Sequence, residues 1–290
     1  MLLFLSAAGQ QRGSRIFHTV LTASFLVHTA AIALRTYIGG RLPFSNGYET
    51  MLLTAWCAML IAVLWGRKIR LLIPFGFLLS GCTLLVAHIG SMNPKITPLV
   101  PVLSSPLLSI HVSVIMLSYT LFGFVALNSL TTFVRILTAG KNSGKDVETM
   151  LERNKIYSLI CLYPALFLLG SGIFIGAIWA NISWGRYWGW DPKEVWALIT
   201  FMLYGLVFHR HMKIVNNAFV FHVFGLYAFA SVLMTYFGVN YLLGGMHSYA
   251  GEMQMGQTAL ITIIALASVS AFVAITYLRF RRLRINQLIS

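Results

Sequence analysis

Residues 157–194 read YSLICLYPALFLLGSGIFIGAIWANISWGRYWGWDPKE. Residues 157–180 carry no charged side chain, and as a helix they extend about 36 Å, enough to cross a hydrocarbon core of about 30 Å. Just beyond, residues 179–196 hold five of the chain's seven Trp. Interfacial Trp is common in membrane proteins, because the indole sets an apolar body in lipid and an N–H in water. The order Trp-x-x-Tyr-Trp-x-Trp closed by Asp191-Pro192 goes beyond such a belt. It is a shelf of flat aromatic faces with a few polar groups, the kind of surface that accepts a flat hydrophobic ligand.

The rest of the chain fits this start. Charged residues make up 10% and hydrophobic residues 58% of its 290 positions. Eight apolar spans are predicted, near 16–34, 50–66, 71–90, 109–136, 157–180, 194–210, 218–241 and 257–279, giving one polytopic domain over 1–290. The leading MLLFLSAAG is too short to span before Arg12 and shows no clear cleavage site. Of the 21 Lys and Arg, all but Arg35, Arg41, Lys95, Arg186 and Lys193 fall on one side of these spans. The positive-inside rule then predicts cytoplasmic termini and an outward-facing Trp-rich loop. The net charge of +14 is accordingly topology and contact with anionic lipid. No basic segment interleaves with aromatics, which argues against nucleic acid as a partner. Cys57, Cys82 and Cys161 fall within spans and far apart, as small hydrophobes rather than a thiol-redox pair.

Two outer segments are rich in turn formers. Residues 35–50, RTYIGGRLPFSNGYET, are predicted as a structured loop, and 91–108, SMNPKITPLVPVLSSPLL, as a Pro-rich cap lying flat on the membrane face. The inner segment 138–156 is predicted as a short amphipathic connector.

Eight histidines sort by depth. His111 opens the fourth span and His247 lies in the last outer loop, both on the side of the aromatic shelf. Two neutral imidazoles beside a flat aromatic surface match bis-His ligation of haem iron, covered by Trp184, Tyr187, Trp188 and Trp190. Arg186 and Lys193 are candidates to pair with the propionates. His209, 15 residues after Glu194, sits roughly 22 Å along a helix from the shelf and cannot share that iron. It belongs to an inner site or to none. His18, His28, His88 and His222 lie within or at the ends of spans, where core contacts and function are both open. Asp191, before Pro192, is placed to cap the sixth helix.

These residues carry a resemblance. WGRYWGWDPKE, SNGYE at 45–49, MNPKITPLVPVL at 92–103, HVSVIMLSY at 111–119 and FGVNYLLGGMHSY at 237–249 resemble the CcsA/ResC family, the haem-handling membrane component of System II cytochrome c biogenesis. The resemblance implies that His111 and His247 ligate haem on residues 184–194, which match the family's WWD signature and are here called the WWD segment, that His209 serves an inner transmembrane haem site, and that haem b is bound as cargo. It also implies a CcsB/ResB-like membrane partner, from which this chain looks like the unfused subunit. An apocytochrome c with a Cys-x-x-Cys-His motif would be the acceptor, in a holocytochrome c synthase of haem-lyase type. The membrane would be the bacterial inner membrane, or the thylakoid for a plastid protein. Ala250 and Gly251 depart from the pattern, where an aromatic often follows His-Ser-Tyr. A membrane b-type cytochrome exchanging electrons with quinone, and a purely structural assembly factor, stand as alternatives. The first would place His pairs at two depths inside the bundle.

Overall fold

The computed structural model describes residues 11–44, 46–90, 92–96, 105–140, 143–243, 245 and 255–289. Among these residues every regular element is helical. The helices are α1 Gln11–Gly39, α2 Gly47–Trp65, α3 Leu72–Ile89, α4 Pro106–Thr138 and α5 Gly144–Trp184, followed by α6 Pro192–Gly205, α7 Lys213–Asn216, α8 Ala218–Leu233, α9 Val239–Leu242 and α10 Met255–Ile289. A 3-10 turn at Leu206–Phe208 extends α6, and a π turn at Met234–Gly238 joins α8 to α9. Seven segments are long and apolar enough to cross a membrane: five on α1 to α5, one on α8 with its π turn, and one on α10. The chain is a multi-pass membrane protein.

Three sequence expectations need correcting. The sixth predicted span, 194–210, is the 14-residue α6. With its 3-10 turn it covers roughly 27 Å, short of a core of about 30 Å. Asp191 and Pro192 fix one end, and the extended backbone of His209 (φ −89°, ψ 92°) fixes the other. In 35–50 the turn formers act at helix ends instead of marking one long loop. Gly40, at φ +62°, lies in the left-handed region just past α1, and the Asn46 side chain accepts from Glu49 N at 2.8 Å to start α2. Only residues 40–46 lie between the two helices. The segment 138–156 is helical from Gly144 onward and continuous with the fifth span. Most of the Pro-rich cap, 97–104, lies outside the described residues, as does the leading apolar stretch 1–9.

The chain forms two compact units, one of residues 1–124 and 164–189, the other of 125–163 and 190–290. Helices α4 and α5 contribute to both, and on α5 the division falls at Pro164, which has no N–H to give the helical ladder. In the first unit α1, α2 and α3 meet through small residues. A Cβ at Gly76 would lie 2.5 Å from the Ala62 Cβ and 3.4 Å from Leu21, so glycine is what lets the helices approach. Close approach of this kind replaces the hydrophobic drive that lipid removes.

The second unit has a core of Phe133, Ile136, Val147, Leu151, Phe219 and Leu283. A buried polar band lies beside it. Asn128 Nδ2 donates to Asn154 O at 2.6 Å and to Ser158 Oγ at 2.8 Å, and His222 Nε2 donates to Leu151 O at 3.2 Å.

Candidate functional site

His111 stands on the second turn of α4, half-buried, and its surroundings fix which nitrogen can bind a ligand. Nδ1 lies 2.7 Å from Gly172 O on α5. A carbonyl oxygen only accepts, so Nδ1 carries the proton, and in the neutral ring Nε2 carries the lone pair. A ligating imidazole is ordinarily held in this way, with its other N–H on a backbone carbonyl. The groove that receives the ring is made by glycine. A Cβ at Gly176 would lie 2.6 Å from His111 Cε1 and 2.7 Å from Nδ1, and one at Gly172 would lie 2.5 Å from Ile115 Cδ1. Sequence reasoning had not singled out Gly172 and Gly176. Their small-x-x-x-small spacing, four apart on one helix face, was the available signal.

One turn beyond Gly176 on that helix is Trp179, buried at 3% exposure. Its ring meets the edge of Trp184, with centroids 4.8 Å apart at 70°. Trp184 is the last residue of α5, about 12 Å along the axis from Gly176. The first unit therefore carries the histidine and the base of the aromatic cluster on the same two helices.

The connector from α5 to α6 is shaped at both ends. Gly185 closes α5, at φ +73° with its N–H donating to Asn181 O at 2.9 Å. Arg186 packs over Gly189, where a Cβ would lie 2.8 Å from the guanidinium carbon. Tyr187 is 61% and Trp190 74% exposed, while Trp188 is half-buried. Trp190 has φ +57°, a conformation costly for a bulky residue and characteristic of functional sites. Asp191 then opens α6 with a full capping box. Its carboxylate accepts from Lys193 N at 3.1 Å, and Glu194 Oε2 accepts from Asp191 N at 3.2 Å. The cap expected at Asp191 and Pro192 is present.

Lys193 makes a contact that the sequence did not announce. Its side chain is half-buried, and the ammonium donates to Asn240 Oδ1 at 3.0 Å. Burial pulls its pKa down to about 8, with the Asp191 carboxylate drawing it part-way back. It ties the start of α6 to Asn240, and Arg186 stands exposed on the connector.

The remaining histidines separate clearly. His209 is exposed beyond the 3-10 turn, more than ~22 Å of helix from Glu194, as its spacing predicted. His18 and His28 each place Nε2 on a backbone carbonyl of α2, Val63 O at 3.1 Å and Leu52 O at 3.0 Å. Both rings are half-buried, whereas His222 is fully buried, with Nδ1 3.2 Å from Ser129 Oγ and Nε2 on Leu151 O, and is a satisfied core residue. His247 lies outside the described residues. Of the sequence-predicted set, His111, Trp184, Tyr187 and Trp188 belong to the first unit, and Trp190, Asp191 and His209 to the second.

The residues present fit a haem. The chain offers a lone-pair nitrogen of defined tautomer, large aromatic rings in the connector and an exposed cation suited to a carboxylate. Residues 44–247 match the model of the family described as Cytochrome C assembly protein. The chain belongs to that family. The match takes in His111, the WWD segment and His209, and ends on His247.

Within the cytochrome c assembly family the chain is similar to the Protein NrfI of Wolinella succinogenes, at 41% identity over 86% of this chain and 28% of that protein's length. It is also similar to the cytochrome c biogenesis protein CcsA of Chlorella vulgaris, at 33% identity over 76% of this chain and 81% of that one. The CcsA of a Synechococcus strain is 29% identical over 86% and 90%. The chain thus spans under a third of NrfI but most of the CcsA proteins.

Proposed function

We propose that this protein holds haem b as cargo at the outer face of the membrane and presents it for covalent attachment to apocytochrome c, as the CcsA-like subunit of a synthase. What supports this reading above all is the His111 imidazole, its Nδ1 proton committed to Gly172 O at 2.7 Å and its lone pair thereby on Nε2. In this proposal His111 and His247 are the axial ligands. Trp184, Tyr187, Trp188 and Trp190 cover the macrocycle, Arg186 faces a propionate, and Asp191 fixes the start of α6 so that the aromatic connector keeps its shape. His209 serves a second, inner site on the route of entry. A CcsB/ResB-like partner supplies the remaining transmembrane ligand.

The chemistry asked of the protein is positioning. Each thiol of a Cys-x-x-Cys-His motif adds across one vinyl group, so no atom leaves and no catalytic base from this chain is required. The two histidines orient the cargo, and the exposed edge of the connector leaves the vinyl groups open to the acceptor. The charge bias of the loops supports cytoplasmic termini, in a bacterial inner membrane or a thylakoid membrane.

The test is the absorption spectrum of the purified chain with its partner. A six-coordinate low-spin haem is expected. His111→Ala and His247→Ala should each convert or lose it, and added imidazole should restore it. An unchanged spectrum in both variants would overturn the outer-site assignment.

A further inference from the structure

The second unit contains a set of contacts that run between α6 and the chain from the π turn onward. Thr200 Oγ1 meets Thr235 Oγ1 at 3.1 Å, and Thr235 Oγ1, whose nearer acceptor is Ser231 O at 2.7 Å, lies 3.2 Å from Trp196 O. Nearer the start of α6, Lys193 Nζ donates to Asn240 Oδ1 at 3.0 Å. At its very start, the Asp191 carboxylate lies so close to Gly245 that a Cβ there would be 2.6 Å from Asp191 Oδ1 and 3.1 Å from Pro192 Cδ. The pairs 200 with 235, 193 with 240 and 191 with 245 descend one segment as they ascend the other. They form an antiparallel seam.

The seam ends beside the Trp-rich connector, and the chain it holds leads directly into His247, two residues after Gly245. We propose that Lys193 and Asn240, with Gly245 seated on Asp191, clamp this chain to the start of α6, so that the Asp-Pro-Lys end of the WWD segment positions the second histidine. The Asp191 carboxylate cannot swing away from an added methyl, because it is already committed to Lys193 N at 3.1 Å. Gly245 is therefore required by close approach, and Lys193 acts as a positioning residue rather than as a contact to the cargo. An ammonium is suited to the task, since a half-buried charge-assisted hydrogen bond is stronger than one between neutral groups at the surface.

The importance of His247 rests on the function proposed above, so the test has one arm that reads the clamp without haem. In the full chain purified with its partner, hydrogen exchange of residues 236–245 should rise at least tenfold in Lys193→Met and Asn240→Leu. Asn240→Asp, which keeps an acceptor for the ammonium, should stay within about twofold of wild type. In the haem-loaded complex, Asn240→Leu and Gly245→Ala should lose the low-spin spectrum as His247→Ala does and recover it with imidazole, while Asn240→Asp retains it. Wild-type exchange in both Lys193→Met and Asn240→Leu overturns the clamp, whatever the spectrum. Raised exchange with a wild-type spectrum in Asn240→Leu also overturns it, because the tie would then not position the ligand. If the wild-type complex shows no six-coordinate haem, the outer-site reading fails, and exchange alone decides the clamp.

Discussion

Gly176→Ala sets two physical effects against each other. In an exposed helix the change is favourable by about 1 kcal/mol, because Gly gives up more backbone freedom on folding than Ala. Here the new methyl would lie 2.6 and 2.7 Å from the His111 ring. Ordinary carbon contacts begin near 3.4 Å, so the ring or the helix must yield by about 0.8 Å in a close-packed interface. A ring displaced that far leaves hydrogen-bonding range of Gly172 O, at a cost of about 1 kcal/mol, and overpacking adds about 1–3 kcal/mol. Packing exceeds propensity, and Gly176→Ala should be destabilising by about 1–3 kcal/mol net. Its sharper effect is on function, because the ring loses both its placement and the bond that fixes its tautomer. In the purified complex, the low-spin spectrum should fall toward that of His111→Ala, and imidazole should restore it. Gly81→Ala is the control, since nothing lies within 4 Å of its added Cβ. It should be neutral or slightly stabilising. A Gly176→Ala protein with wild-type thermal stability and wild-type spectrum would falsify the glycine-groove account of how His111 is held.

Other outcomes follow from the connector and its tie. Trp190→Gly relieves the positive φ at that residue and should raise thermal stability by about 1 kcal/mol while lowering haem per protein, whereas Trp190→Phe should do neither fully. Asp191→Ala removes the cap of α6 and should cost about 0.5–2 kcal/mol by thermal unfolding, with Asp191→Asn retaining most of it. Lys193, held near 8 against an ordinary 10.5, binds its proton less readily folded than unfolded. Stability attributable to it should therefore rise between about pH 8 and 10.5, by up to about 3 kcal/mol, and unfolding curves of Lys193→Met should lack that rise. His209→Ala should reduce haem loading of the complex while leaving the ligation spectrum of any outer haem intact, and direct coordination of the outer iron by His209 would refute the two-site arrangement.

Much of this protein is written in local pattern. Uncharged apolar runs longer than a bilayer core admit only helices, because lipid offers no partner for an unpaired backbone group, and the long spans were legible for that reason. Asp191-Pro192 announced the start of α6, because a cap and a residue lacking an N–H act through their immediate neighbours. The Trp-x-x-Tyr-Trp-x-Trp order and the positions of His111 and His209 were equally visible in one dimension. What the sequence could not supply was anything set by the approach of two helices. α6 reads as a full span by hydropathy, yet its end depends on where the backbone turns out of the helix before His209. Gly172 and Gly176 look like ordinary small residues until α4 lays an imidazole against them. Lys193, a residue on the Trp-rich segment, finds Asn240 across 47 positions of chain and is half-buried there. Partners this far apart in sequence leave no periodic trace, because their meeting is decided by packing of whole helices and not by the residues beside them.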